Sequence, residues 1–155
     1  MTIADRLAEL AITLPPPAAP VAAYVPVVEA NGMLYVSGQL PFRADGSIVT
    51  GRLGVDVDMK EGREAAERCG IMLLAQLQAA LGGNLDRVER IVRLGVFVSS
   101  DPGFTDQPRV ANGASELMVQ VFGDAGRHAR SAVGVPVLPL NAAVEVDAIV
   151  AIRAA

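Results

Sequence analysis

The chain reads as an α+β domain, a mixed β-sheet with helices packed on one face. Three observations predict this. Apolar residues recur at helical spacing around 58–82 and 105–123, and strand-like alternation occupies the segments between and after them. An Asn31-Gly32 pair separates two short apolar runs, a strong local hairpin signal because both residues tolerate positive φ. The element order is then α, β-hairpin, α, β, α, β-β, with strands and helices alternating and hairpins at the ends. No linker or internal repeat divides residues 1–155, so one domain is expected, with 1–17 as an N-terminal helix and proline-rich connector.

Each element has a local cause. Thr2 and Asp5 form a capping-box-like pair ahead of Ile3, Leu7, Leu10 and Leu14, and the helix is expected to end at "LPPPAAP", where three prolines forbid continuation. "YVPVVEA" and "MLYVSG" are the two arms of the hairpin. Asp58 caps a second helix with Glu61 three residues on; Ala65, Cys69, Met72, Leu73, Leu77 and Leu81 form its stripe, and Gly82-Gly83 stops it. In "IVRLGVFVS" the spacing places Val92, Leu94, Val96 and Val98 on one face, with Ile91, Arg93, Gly95 and Phe97 on the other. A third helix starts near "TDQPRVANG", with Pro108 tolerated in its first turn. The last two strands lie in "HARSAVGVPVLPLNAAVEVDAIVAI", joined by "PVLPLNAA".

Composition narrows the function. Hydrophobic residues make up 52% of the chain, yet no uninterrupted apolar run reaches the roughly 18 residues of a membrane span. The surplus points to buried subunit contacts rather than a membrane. The N-terminus lacks the basic start and apolar centre of a signal peptide, and one cysteine permits no internal disulfide; a cytoplasmic protein is the expectation. Net charge is −4, and the thirteen basic residues are scattered rather than clustered, which argues against nucleic acid.

The chemical inventory is sparse. His128 is the sole histidine and Cys69 lies on a helix's apolar stripe, so neither belongs to a His/Cys metal cluster. No G-x-S-x-G, Walker A or G-x-G-x-x-G motif occurs, and chemistry without metal or cofactor is expected. Arg130 reads either as a solvent-facing strand-start residue or as a planar fork that grips a small carboxylate with two parallel bonds. Glu145 lies between Val144 and Val146 and shares a face with Asp147; that face is either the wet side of a half-buried strand or part of a pocket. Ser37 and Gly38 look like turn residues, Asn112-Gly113 like a kink, a tight helix crossing or an amide aimed at a site, and Tyr24 like a lid over core.

"VSGQLP" at 36–41, Asn112, and the run Arg130-Ser131-Ala132-Val133, Leu138-Pro139 and Val144-Glu145-Val146 resemble the Rid family, also called YjgF or L-PSP, from about Ala18 to the C-terminus. The resemblance implies a chorismate-mutase-like fold and a homotrimer with clefts between subunits. It also implies cofactor-free hydrolysis of 2-imino acids, such as 2-iminopropanoate and 2-iminobutanoate, to 2-oxo acids and ammonia. Arg130 would clamp the substrate carboxylate, Glu145 would hold and partly deprotonate the attacking water, and the main chain near Ala132 would bond the imine nitrogen or the nascent oxygen. Tyr24, Ser37, Gly38 and Asn112 would line the cleft, the first three from the neighbouring subunit. Arg130 and Glu145 are thus expected to face one pocket. Typical deaminase members have Cys at the position of Ala132 and Pro at that of His128. A trimeric binder of small carboxylic acids that lacks turnover is the alternative, and a ribonuclease a more distant one. The N-terminal helix and "FGDAGRHARSAVG" mark a particular branch.

Overall fold

A computed structural model of the chain describes residues 1–20 and 22–155. Helix α1 spans Ile3–Glu9, and its capping box forms as expected: Thr2 Oγ1 accepts from the Asp5 N–H while the Asp5 carboxylate accepts from the Thr2 N–H. It stops before the prolines, however, because Ala11 turns to φ +56° directly after the Leu10 cap. Ile3 N–H donates to Asp86 (2.8 Å) and Arg6 Nε to the Gln120 carbonyl (2.7 Å), which pins this short helix to the body.

The hairpin is as predicted, with β1 (Val27–Ala30) and β2 (Met33–Gln39) joined through positive φ at Asn31 and Gly32. Helix α2 (Met59–Ala80) is capped by Asp58, which accepts the Glu61 N–H at 2.8 Å. Strand β3 (Val88–Ser99) contains a bulge between Ile91 and Arg93. The extra residue reverses the expected alternation there: Ile91 is fully buried with Leu94, Val96 and Val98, while Val92 is only partly covered. Helix α3 (Gln107–Phe122) has Pro108 in its first turn, and β4 (Ala129–Val135) and β5 (Val144–Ile152) complete the chain.

The expected β4–β5 hairpin does not form. The sheet order is β1-β2-β5-β3-β4, with β4 parallel to β3 and every other pairing antiparallel. Helix α3 supplies the crossover that a parallel pair requires. Strand β5 takes the centre because Val144, Val146, Ala148 and Val150 are buried on one side, whereas β4, with no buried residue, takes an edge. The α+β mixed sheet is therefore as predicted.

Helices α2 and α3 pack together over one face, where Leu73, Leu77, Val110, Leu117 and Met118 meet the inward residues of β2, β3 and β5. The opposite face shows Tyr35 and Val133, each nearly half exposed, with Phe97, Ile149, Glu145 and Asp147 partly covered. That exposure of large apolar side chains on a sheet face is a candidate contact surface. No helix among the described residues is long and apolar enough to cross a membrane.

Candidate functional site

Arg130 pairs with Leu94 across the parallel β3–β4 ladder, and its side chain goes to the helical face of the sheet. Three groups of α3 receive it: Asn112 Oδ1 accepts from Nη1 at 2.9 Å, Ser115 Oγ from Nη1 at 3.1 Å, and the Pro108 carbonyl from Nη2 at 3.3 Å. Positions 108, 112 and 115 fall on one side of a helix by their spacing. A guanidinium has five N–H bonds, so Nε–H and one Nη2–H have no partner among the described residues.

Of the readings of Asn112-Gly113, the tight helix crossing is the one that forms. The Asn112 amide points at Arg130, and Gly113 is where α3 crosses α2 so closely that a Cβ would overlap the Arg63 carbonyl. Ala132, two residues beyond Arg130, is partly buried against the core on the same side. His128 lies beside this cluster. Its Nδ1 donates to the Gly126 carbonyl at 2.6 Å, and its Nε2 lies 2.8 Å from Ser115 Oγ. Burial pulls the His128 pKa below its ordinary value; the Gly126 bond opposes that and Arg130 adds to it. Ser115, Gln120, Arg127, His128 and Arg130 line an open groove of about 570 Å³.

Glu145 is elsewhere. It pairs with Phe97 and faces the open side of the sheet, next to Asp147. Its carboxylate lies over Gly38, where a Cβ would occupy the same space. Gly38 is available for that approach because the β2–β5 register shifts between Val36 and Gln39, a bulge at Ser37-Gly38. Burial raises the Glu145 pKa and the neighbouring Asp147 raises it further. Asp147 is itself raised by burial, against the opposing effect of Arg93 at 3.9 Å. Ser37 donates its hydroxyl to the Val25 carbonyl at 3.2 Å and so fastens the segment before β1. Tyr24 is half exposed over a small recess shared with Pro26, Gly38 and Leu140.

One chain therefore sorts the expected residues into two clusters on opposite faces of the sheet: Arg130, Asn112 and Ala132 on one, Glu145 and Gly38 on the other with Ser37 and Tyr24 nearby. Within a single chain Arg130 and Glu145 do not face a common pocket. Alternation alone separates them, since Arg130 is in register with the core residue Leu94 and Glu145 with the outward residue Phe97. Sequence reading missed Ser115, although its place three residues after Asn112 puts both on one helix face. Cys69 is fully buried, its thiol pushed well up by desolvation and next by Glu145, and has no part in either cluster. No group of three or more metal-ligating side chains occurs among the described residues.

Fold and site together define an α+β protein with one helical layer over a mixed sheet, with the Arg130 guanidinium on the helical face and the half-buried Glu145 carboxylate on the opposite one. A family model described as "YjgF/chorismate mutase-like, putative endoribonuclease" matches residues 4–151. The chain is 53% identical over 149 residues to TCP17 of Trypanosoma cruzi, covering 96% of this chain and 92% of that protein. Among solved structures, Atu1372 of Agrobacterium tumefaciens superimposes with a TM-score of 0.90 at 50% identity, covering 98% and 94% of the two chains. RidA of the Antarctic bacterium Psychrobacter sp. PAMC 21119 gives 0.61 at 27% identity, covering 90% and 96%. The chain belongs to the YjgF family.

Proposed function

We propose that this protein hydrolyses small 2-imino acids to 2-oxo acids and ammonia, in a cleft completed by two subunits of a homotrimer. The observation that carries the reading is the division of the site: Arg130 offers two unsatisfied N–H bonds on one face, and Glu145 is the half-buried base on the other. A ring of copies meeting through unlike surfaces brings one subunit's Arg130 half against the next subunit's Glu145 half. The exposed Tyr35 and Val133 face and the unpaired edge of β4 offer surface for that contact.

The chemistry needs no covalent intermediate. A protonated imine is already electrophilic. Arg130 binds the carboxylate and fixes the imine carbon. Glu145 takes a proton from water as the C–O bond forms, and the C=N electron pair moves to nitrogen. Glu145 passes that proton to the nitrogen, and the C–N bond breaks as the hydroxyl returns its proton to Glu145 and the carbonyl forms, releasing ammonia. Burial that raises the Glu145 pKa makes it a stronger base toward water. Kinship with RidA and the Arg130 and Glu145 signature support this substrate class.

A second reading, a binder of small carboxylic acids without turnover, is favoured by Ala132, which provides no thiol beside the cleft. Cleavage of RNA fits poorly with a net charge of −4 and scattered arginines. The test generates 2-iminobutanoate in situ with an amino-acid oxidase and follows 2-oxobutanoate. The wild type should accelerate its formation while Arg130→Ala and Glu145→Gln do not. Wild-type progress at the buffer rate, with 2-oxobutanoate still bound, would favour the binder instead.

A further inference from the structure

The groove between α3 and β4 holds a chain of hydrogen bonds whose direction is forced. The Gly126 carbonyl can only accept, so His128 Nδ1 carries the proton. In the neutral ring Nε2 is then an acceptor, and it takes the single hydroxyl hydrogen of Ser115 at 2.8 Å. With its proton committed, Ser115 Oγ turns a lone pair to Arg130 Nη1. Asn112 Oδ1 takes the other Nη1 hydrogen, so Nη1 has nothing left to offer a ligand.

We infer that Ser115 and His128 are positioning residues for Arg130: they engage Nη1 so that the Nε–Nη2 edge is the fork left to a substrate carboxylate. The inference rests on the proposed role of Arg130 and deepens it. Without the pair, Asn112 and Pro108 still touch the guanidinium, but Nη1 regains an unengaged hydrogen and the group turns more readily about its Nε–Cζ bond. His128 acts here entirely through Ser115 and touches no reacting atom. The other charged groups around the imidazole are Arg130 on β4, Arg127 before it and Glu116 on α3, and none of them lies within hydrogen-bond reach of Nε2.

The test measures guanidinium rotation directly, by 15N exchange at the Nη atoms of Arg130 in the full chain, assigned by loss of the signal in Arg130→Lys. Ser115→Ala should speed rotation about tenfold, the scale of one charge-assisted bond, and His128→Ala, which leaves that bond but frees the Ser115 hydroxyl to turn, should speed it by a smaller factor. His128→Gln, which restores an acceptor for the Ser115 hydroxyl, should remain closer to the wild type than His128→Ala. The same proteins are titrated with 2-oxobutanoate, whose dissociation constant should rise by a similar factor in the two faster variants. Unchanged rotation in Ser115→Ala overturns the inference. Faster rotation combined with no 2-oxobutanoate binding by any variant or the wild type upholds the positioning and removes the functional reading of Arg130 instead.

Discussion

Gly38 supports the Glu145 carboxylate at contact distance, and a methyl group on Gly38 would take the carboxylate's place. Gly38→Ala should therefore move that carboxylate without emptying the core. Because Glu145 is only half buried, it can swing outward, and the stability cost should stay near the low end of overpacking, about 1 kcal/mol. Under the proposed function, acceleration of 2-iminobutanoate hydrolysis should fall by about tenfold or more, since the proposed base would lose its alignment with water. Initial rates beside a thermal melt separate the two effects; normal rates with a lowered Tm would contradict the prediction.

The pH dependence should follow Glu145. Burial raises its pKa above the ordinary 4.5, and Asp147 raises it further, so the hydrolysis rate should increase with pH through a midpoint above 4.5. Asp147→Asn removes the second cause and should lower that midpoint, as read from kcat/KM profiles. A midpoint that stays fixed or rises in Asp147→Asn would show that Asp147 exerts no such influence.

Much of this arrangement was legible in the residues. The Thr2 and Asp58 caps, the Asn31-Gly32 turn and the alternation of β5 are local, and each forms where its side chains dictate. What was not legible depends on register or on a partner distant in sequence. The bulge at Val92 leaves composition unchanged while flipping Ile91 into the core. The parallel pairing of β4 is decided by how α3 crosses over, and nothing in "PVLPLNAA" forbids a hairpin. Arg130 and Glu145 were recognisable one by one, but the sheet face of Arg130 follows from its pairing with Leu94.

The α2–α3 crossing gives a stability prediction. A Cβ on Gly113 would overlap the backbone carbonyl of Arg63, an atom fixed in α2. Gly113→Ala should cost about 1–3 kcal/mol despite the gain in helix propensity, because two packed helices must separate. It should also weaken 2-oxobutanoate binding, since the adjacent Asn112 holds Arg130. Denaturant unfolding and a binding titration check both; unchanged stability in Gly113→Ala would contradict the close crossing.

His128 gives a prediction of definite sign. Burial first, and Arg130 as well, hold its folded pKa below the ordinary 6.5, against the Gly126 bond. The unfolded chain therefore binds a proton more readily below pH 6.5, and the stability present above that pH is lost as pH falls through the window beneath it. Glu145 and Asp147, both raised, act in the opposite sense in the range above their ordinary values. Comparison with His128→Gln isolates the histidine: between about pH 7.5 and about pH 5 the wild type should lose more stability than the variant. Parallel melting curves for the two proteins would contradict this.

Arg130 and Glu145 lie on opposite sheet faces of one chain, and mixing tests most directly the proposal that two chains complete the site. Arg130→Ala and Glu145→Gln, each inactive alone, are unfolded together in equal amounts and refolded. Random assembly into rings joins an intact Arg130 to a neighbour's intact Glu145 in about a quarter of the clefts, so about a quarter of wild-type activity should return. A refolded mixture no more active than its separate components, when wild type treated alike regains its rate, would contradict the shared site.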